Sequence, residues 1–385
     1  MASQIVQGCS DLLRFTTFPN RGRAVVAARD IAPGTPLIDE EPLISMPLPE
    51  SREDVAACER CCRPLGTVDT QFSHLVTDLP PLPSLPMDED DATFADDVRC
   101  PHGRCGARFC SADCLKKHAA SHGYLCGGRS TAAAKALERF EAHARATHET
   151  FMFGAKLVAD AMARGGQQAY DDLCRIQWWE ISDEGVSKSA NDVKRAREDA
   201  NCSRKLLLTL LSAAGAKPAQ VEWLTLDAWG GLLGAARRNA ICVQLAHPLG
   251  EFVPALSEWL DERASAKEAK ALRPYLDALP APLPDPLWTA VYPRISCLNH
   301  ACKPNCEVRW LNEDHRGTVV ATRAIAAGDE LCITYIDDNE RADYRKRRAS
   351  LRDYGFECDC TKCESEASWA RRLRPRLTCV EVDRG

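Results

Sequence analysis

A chain of 385 residues, 45% apolar and 27% charged, has ordinary globular composition and room for two or three modules around a buried core. Its uncharged apolar runs fall far short of the roughly 20 residues a membrane span needs. MASQIVQGCSDLLRF lacks the charged start and apolar stretch of a secretion signal, so membrane and secreted classes are not expected. A net charge of −6 argues against nucleic-acid binding by bulk charge and is compatible with a basic partner.

Up to about residue 47 the chain reads as strands, RGRAVVAARDI and PLIDEEPLI, around a turn at Ala32-Pro33-Gly34. A cysteine-rich block follows from Cys58 to Cys126. It is interrupted between Cys61 and Cys100 by a stretch that includes DLPPLPSLPMDEDDATFADD. The prolines and clustered acids predict an exposed, largely irregular loop there. Residues 131–215 read as helical, with Phe153, Leu157, Val158, Ala161 and Met162, then Leu206, Leu207, Leu210 and Leu211, at helical spacing. Trp178 and Trp179 are read as packing residues rather than a ligand cage. Two more helices are expected over 223–240 and 255–279, the second ended by PAPLPDP. Strands return at 307–310, 317–321 and 330–336.

One pattern occurs twice. Residues 27–37 and 321–331 both read A-x-R-x-I-A-x-G-x-x-L. A solenoid would repeat at short regular periods, so the same strand, turn and strand at both ends predicts one β-domain split by an insertion.

Twenty cysteines, clustered at short spacings in a chain not read as secreted, point to thiolate metal sites rather than disulfides, with zinc the default. Cys58, Cys61, Cys100, Cys105, Cys110, Cys114, His122 and Cys126 form pairs spaced x2, x4, x3 and x3. They supply ligands enough for two tetrahedral zinc ions. Cys62 is an alternative to Cys61, and His118 to His122. A second cluster, Cys358-Asp359-Cys360-Thr361-Lys362-Cys363, offers three thiolates and needs a fourth. Cys302 is the first choice and Cys306 its competitor. Zinc there would tie the C-terminal segment to the loop carrying Asn299 and His300, coupling metal binding to the ordering of that segment.

The later half of the first cluster, RFCSADCLKKHAASHGYLC, resembles the tail of a MYND zinc finger, with Phe109 where that family usually has Tyr. Its interleaved wiring would place Cys58, Cys61, Cys110 and Cys114 on one zinc, and Cys100, Cys105, His122 and Cys126 on the other. RISCLNHACKPN (294–305), AGDELCITYID (327–337) and YGFECDCTKC (354–363) resemble a SET domain, in the right order. With a finger interrupting the early strands, the whole is similar to the SET-and-MYND lysine methyltransferases. The likeness covers most of the chain, only loosely over about 130–230, and is to the short branch lacking a C-terminal helical-repeat domain.

The resemblance implies an α+β fold: a β-rich SET domain with a pseudoknot, split by the finger and a helical insert, with a post-SET zinc site. The expected boundaries are 1–50 and 231–340 for the SET domain, 51–128 for the finger, 129–230 for the insert, 341–364 for the post-SET segment and 365–385 for a tail. It also implies a protein-lysine methyltransferase using S-adenosylmethionine and three zinc ions. The Arg21-Gly22-Arg23 turn would bring its backbone against the cofactor. Asn299 and His300 would meet the cofactor, Asn239 would be a further contact, and Phe356 would pack on the adenine side. Ala24 stands where the pattern has a second glycine and is expected to narrow the cofactor site. Tyr335 would be the catalytic residue, also touching the cofactor, and would orient the amine and the transferring methyl.

The chemistry fits such parts. An in-line displacement needs alignment above all, and positioning alone can contribute ~7–11 kcal/mol. The lysine must arrive neutral although its usual pKa is about 10.4, and a narrow aromatic channel disfavours the ammonium. With the cofactor turn and Tyr335 at opposite ends of the sheet, donor and peptide are expected to enter from different faces. Expected partners are a histone tail or another lysine-bearing protein, and a proline-rich peptide at the finger, for a monomer in the nucleus, the cytoplasm or both. The competing function is an adaptor with an inactive SET fold. Direct nucleic-acid binding is not expected, because no basic stripe is present. Asp329 and Glu330 are read as a solvated strand edge, and Arg345 to Arg348 as a basic helix face rather than a nuclear import signal.

Overall fold

A computed structural model describes residues 11–19, 21–49, 51–80, 82–83, 93–165, 189–352 and 354–372. Trp178 and Trp179, and most of the acidic part of the Pro/Asp-rich stretch, lie outside the described residues. The architecture is α+β: small, mostly antiparallel sheets with helices packed beside them. No helix among the described residues is long and apolar enough to cross a membrane.

The β-domain is assembled from both ends of the chain. Leu13–Phe18 and Gly22–Ala27 form a hairpin in which Leu13 lies opposite Ala27 and Phe18 opposite Gly22. Pro36–Glu40 pairs with Gly317–Ala321, which also pairs with Cys306–Arg309. Ile44–Pro47 pairs with Leu287–Val291, whose other edge takes Ala240–Gln244. Asn299–His300 runs parallel to Cys332–Ile333. Alternating apolar residues of these strands, among them Val25, Ile38, Val319 and Ile333, bury with Ile295, Leu298 and Leu331 in one core.

The two copies of the repeated pattern clasp each other. Ile31 and Ile325 exchange backbone hydrogen bonds of 2.8 and 3.0 Å. Ala27 N–H donates to the Asp329 carbonyl at 2.9 Å, and Gly328 N–H to the Ala27 carbonyl at 2.8 Å. The matching glycines, Gly34 and Gly328, take φ values of +80° and +89°, which side chains with a Cβ rarely adopt.

Helices Thr131–Ala146, Thr150–Ala163, Ala190–Ala213 and Leu226–Asn239 build a second core from Phe140, Phe151, Leu157, Leu210, Trp229 and Leu233. Three local expectations need correction. The stretch between Cys61 and Cys100 is not irregular throughout: Val68–Leu75 is a helix started by a Thr67–Thr70 capping box. Its Val68 and Phe72 share one face and bury against Leu249, Tyr275 and Leu279. The single helix expected over 255–279 is two, Phe252–Glu262 and Ala266–Ala278. Ser265 restarts the second by capping it, with Glu268 returning the bond. Of the strand expected over 330–336 only Cys332–Ile333 forms. The Tyr344–Arg352 helix carries the four basic residues, but Arg347 is fully buried, donating to the Arg341 carbonyl at 2.8 Å and pairing with Glu366.

Candidate functional site

The cysteines gather into three groups. Cys58, Cys61, Cys110 and Cys114 form one; Cys100, Cys105, His122 and Cys126 a second; Cys302, Cys358, Cys360 and Cys363 a third, with ligand atoms within 4.8 Å of one another in each. Helix Ala112–Leu125, capped by Ser111, carries Cys114 and His122 about two turns apart and so serves both of the first two groups. Sulfur separations of 3.5 Å for Cys61–Cys110 and Cys110–Cys114, and 3.4 and 3.8 Å from Cys302 to Cys363 and Cys358, match the edges of a tetrahedron around zinc with bonds of ~2.3 Å.

The donor set also calls for a cation. Burial pushes the Cys105 and Cys110 thiols up to about 12, whereas a hydrogen bond with Cys61 brings Cys58 down to about 5; a bound zinc ion would favour the thiolate at each. The alternatives take other roles. Cys62 turns away in a left-handed conformation, φ +67°, beside the Ser45 hydroxyl at 3.4 Å. His118 stacks on the His122 ring with centroids 5.6 Å apart. Cys306 lies in the β-core.

A cleft of about 460 Å³ opens beside the third group, within the usual size of a small-molecule site. Its walls include Arg21, Gly22, Arg23, Asn239, Asn299, His300, Tyr335 and Phe356. Folding thus brings together the eight cofactor-site residues named from the resemblance. Gly22 has φ +68°, and a Cβ added there would meet nothing within 4 Å, so its backbone faces free space. Arg23 donates to Asn239 Oδ1 at 2.8 Å, and Asn239 Nδ2 donates to the Ala235 carbonyl at 2.7 Å. The Glu40 carboxylate accepts the Arg294 and Ile295 N–H groups, at 3.0 and 2.8 Å, anchoring the turn that leads to Asn299.

Aromatic rings meet at one end of the cleft. His300 and Tyr354 lie 5.5 and 4.9 Å from the Tyr335 ring, and Phe356 stands edge-on to it at 6.3 Å. The Tyr335 hydroxyl donates to the Leu298 carbonyl at 2.7 Å, and its N–H donates to His300 Nδ1 at 3.0 Å. Burial, reinforced by Tyr354, raises the Tyr335 pKa above its ordinary value, so the phenol stays neutral. Ala24 is fully buried on the hairpin strand and does not line the cleft. Its methyl therefore does not narrow this space, contrary to the expectation from sequence.

The SET domain family profile matches residues 174–336. A histone-lysine N-methyltransferase, ATXR2 of Arabidopsis thaliana, is 27% identical over 70% of this chain, which spans 63% of that relative's length. The protein-lysine N-trimethyltransferase SMYD5 of Homo sapiens is 26% identical over 94% of this chain and 87% of its own. The histone-lysine N-methyltransferase SMYD3 of Mus musculus reaches 44%, over 20% of this chain. A SET domain thus occupies the matched part of the chain, and most of its length is similar to protein-lysine methyltransferases.

The matched span holds Asn239, Asn299, His300 and Tyr335, whereas Arg21 to Arg23 and Phe356 lie outside it and reach the cleft by folding alone. The cleft also contains Arg238, Ser296, Tyr354, Glu357 and Asp359, which sequence reasoning did not single out. Ser296, Tyr354, Glu357 and Asp359 stood inside the quoted motifs, so proximity to named residues was the missed signal. Glu330 is no solvated edge: it accepts from Asn299 Nδ2 at 2.7 Å and pairs with Arg21 at 3.5 Å, with 18% of its side chain exposed.

Proposed function

We propose that this chain is a protein-lysine N-methyltransferase that binds S-adenosylmethionine in the 460 Å³ cleft and orients the lysine amine with Tyr335. The convergence of the Arg21–Arg23 turn, Asn239, Asn299, His300, Phe356 and Tyr335 on that cleft carries the reading. When bound, the cofactor supplies a methyl group made electrophilic by its sulfonium. Gly22 would let the backbone approach it, and Asn299 and His300 would help to hold it. Because Tyr335 donates its proton to the Leu298 carbonyl, its oxygen is left to accept from the incoming amine. His300, Tyr354 and Phe356 surround that point with ring surface, which favours the neutral amine over the ammonium.

ATXR2 is named for histone lysines and SMYD5 for protein lysines, so histone tails and other lysine-bearing proteins are the two substrate classes of this proposal. It also includes a monomer in the nucleus, the cytoplasm or both, with a proline-rich peptide at the finger. Gel filtration, cell imaging and peptide titration test those parts.

Transfer of labelled methyl to core histones and to a ribosome-rich extract is the principal test. Zinc-loaded wild type should label lysine, Tyr335→Phe should lose about 100-fold in rate, and Asn299→Ala should weaken the cofactor. A zinc-loaded wild type that neither binds S-adenosylmethionine nor labels either sample would remove the methyltransferase reading.

A further inference from the structure

Asn299 spends both of its amide hydrogens inside the protein. Its Nδ2 donates to the Arg23 carbonyl at 3.0 Å and to Glu330 Oε1 at 2.7 Å. Two acceptors on one side fix which end of the amide is nitrogen. No donor among the described residues meets Oδ1, so what Asn299 offers a ligand in the cleft is an acceptor only. Glu330 is itself held. Its carboxylate pairs with Arg21 Nε at 3.5 Å, and Arg21 donates onward to Asp359 at 3.0 Å and to the His300 carbonyl at 3.2 Å. Asp359 lies between Cys358 and Cys360 of the third cysteine group. Glu330 adjoins the clasp of the two repeats, bridging to Val26, so the backbone places it firmly.

We propose that Glu330 is a positioning residue that locks the Asn299 amide with Oδ1 toward the cleft, where it accepts a hydrogen bond from the α-ammonium of the methyl donor. This deepens the methyltransferase reading and rests on it. The group selected is a cationic donor on the amino-acid tail. A ligand with the same nucleoside but no tail gains nothing from the lock. A carboxylate in that place would face an acceptor and be rejected.

The test compares two ligands by calorimetric titration: S-adenosylhomocysteine, which carries the ammonium, and methylthioadenosine, which lacks the tail. Glu330→Leu should weaken the first about tenfold or more and change the second less than about twofold. Glu330→Gln keeps an acceptor for Asn299 Nδ2 and should restore most of the loss. Adding Asn299→Ala to Glu330→Leu should cost nothing further, because both act through one bond. Should the leucine variant fail to fold, Glu330→Ser is too short to reach Asn299 and gives the same reading. Equal weakening of both ligands would reduce Glu330 to a structural role, and an unchanged affinity for S-adenosylhomocysteine would overturn the proposal. Failure of wild type to bind S-adenosylhomocysteine would remove the methyltransferase reading with it, which separates the two failures.

Discussion

Tyr335, Asn299 and His300 are unremarkable residue types, and each becomes informative only through what surrounds it. Glu41 shows the same dependence. The His315 imidazole 3.7 Å away and the Arg60 guanidinium hold its carboxyl at about 2, below the ordinary 4.5. A carboxylate with its folded pKa depressed adds stability that is full above the unfolded value and lost as pH falls from about 4.5 toward 2. Urea unfolding at pH 5 and pH 3 should therefore show wild type losing more stability than Glu41→Gln over that interval. Zinc loss in acid affects both proteins, so the difference between them is the reading. A parallel pH dependence would mean that His315 and Arg60 contribute nothing through Glu41. Ala24 gives the opposite kind of prediction. Since its methyl is buried outside the cleft, Ala24→Gly should leave cofactor affinity within about twofold and cost stability, roughly 0.5–1 kcal/mol for glycine in a strand. A gain of tenfold in affinity would show that the methyl does constrict the site.

At the scale of elements, helix propensity and spacing were readable wherever an apolar stripe was long enough. They failed where a short element borrowed its burial from a distant one. Val68–Leu75 has little to recommend it inside a Pro/Asp-rich stretch, and it forms because Leu249, Tyr275 and Leu279 cover its apolar face. Close helix packing sets a further constraint at Gly154. A Cβ there would lie 2.6 Å from Leu233 and 2.7 Å from Trp229. Gly154→Val should destabilise the helical core by about 1–3 kcal/mol or more through overpacking, measured as a lowered denaturation midpoint; a midpoint equal to wild type would show that the ring and Leu233 can move aside. The third cysteine group makes the post-SET segment an element in its own right. Cys363→Ser should lower zinc content from three ions per chain to two, and release Tyr354 and Phe356 from the cleft wall. Elemental analysis with a cofactor titration checks this, and three zincs with unchanged affinity would exclude the coupling.

Across the whole molecule, the cysteine spacings, the repeated A-x-R-x-I-A-x-G-x-x-L and the motifs around Asn299, Tyr335 and Cys358 were legible because each is local. Thiolate ligands must be close in sequence to make half a metal site cheaply, and a turn glycine must stand at one fixed place in its pattern. Those features carried the resemblance to a SET domain and named the residues that line the cleft. Tertiary structure decided what local patterns cannot encode. It selected Cys302 over Cys306 and Cys61 over Cys62, since sulfur position depends on which strand or turn carries it. It brought Arg21 and Asp359, 338 positions apart, within 3.0 Å, and turned Glu330 inward to Asn299. Side-chain partners so far apart in the chain meet only in the folded chain, because hydrogen bonds and ion pairs respond to separation in space and not in sequence.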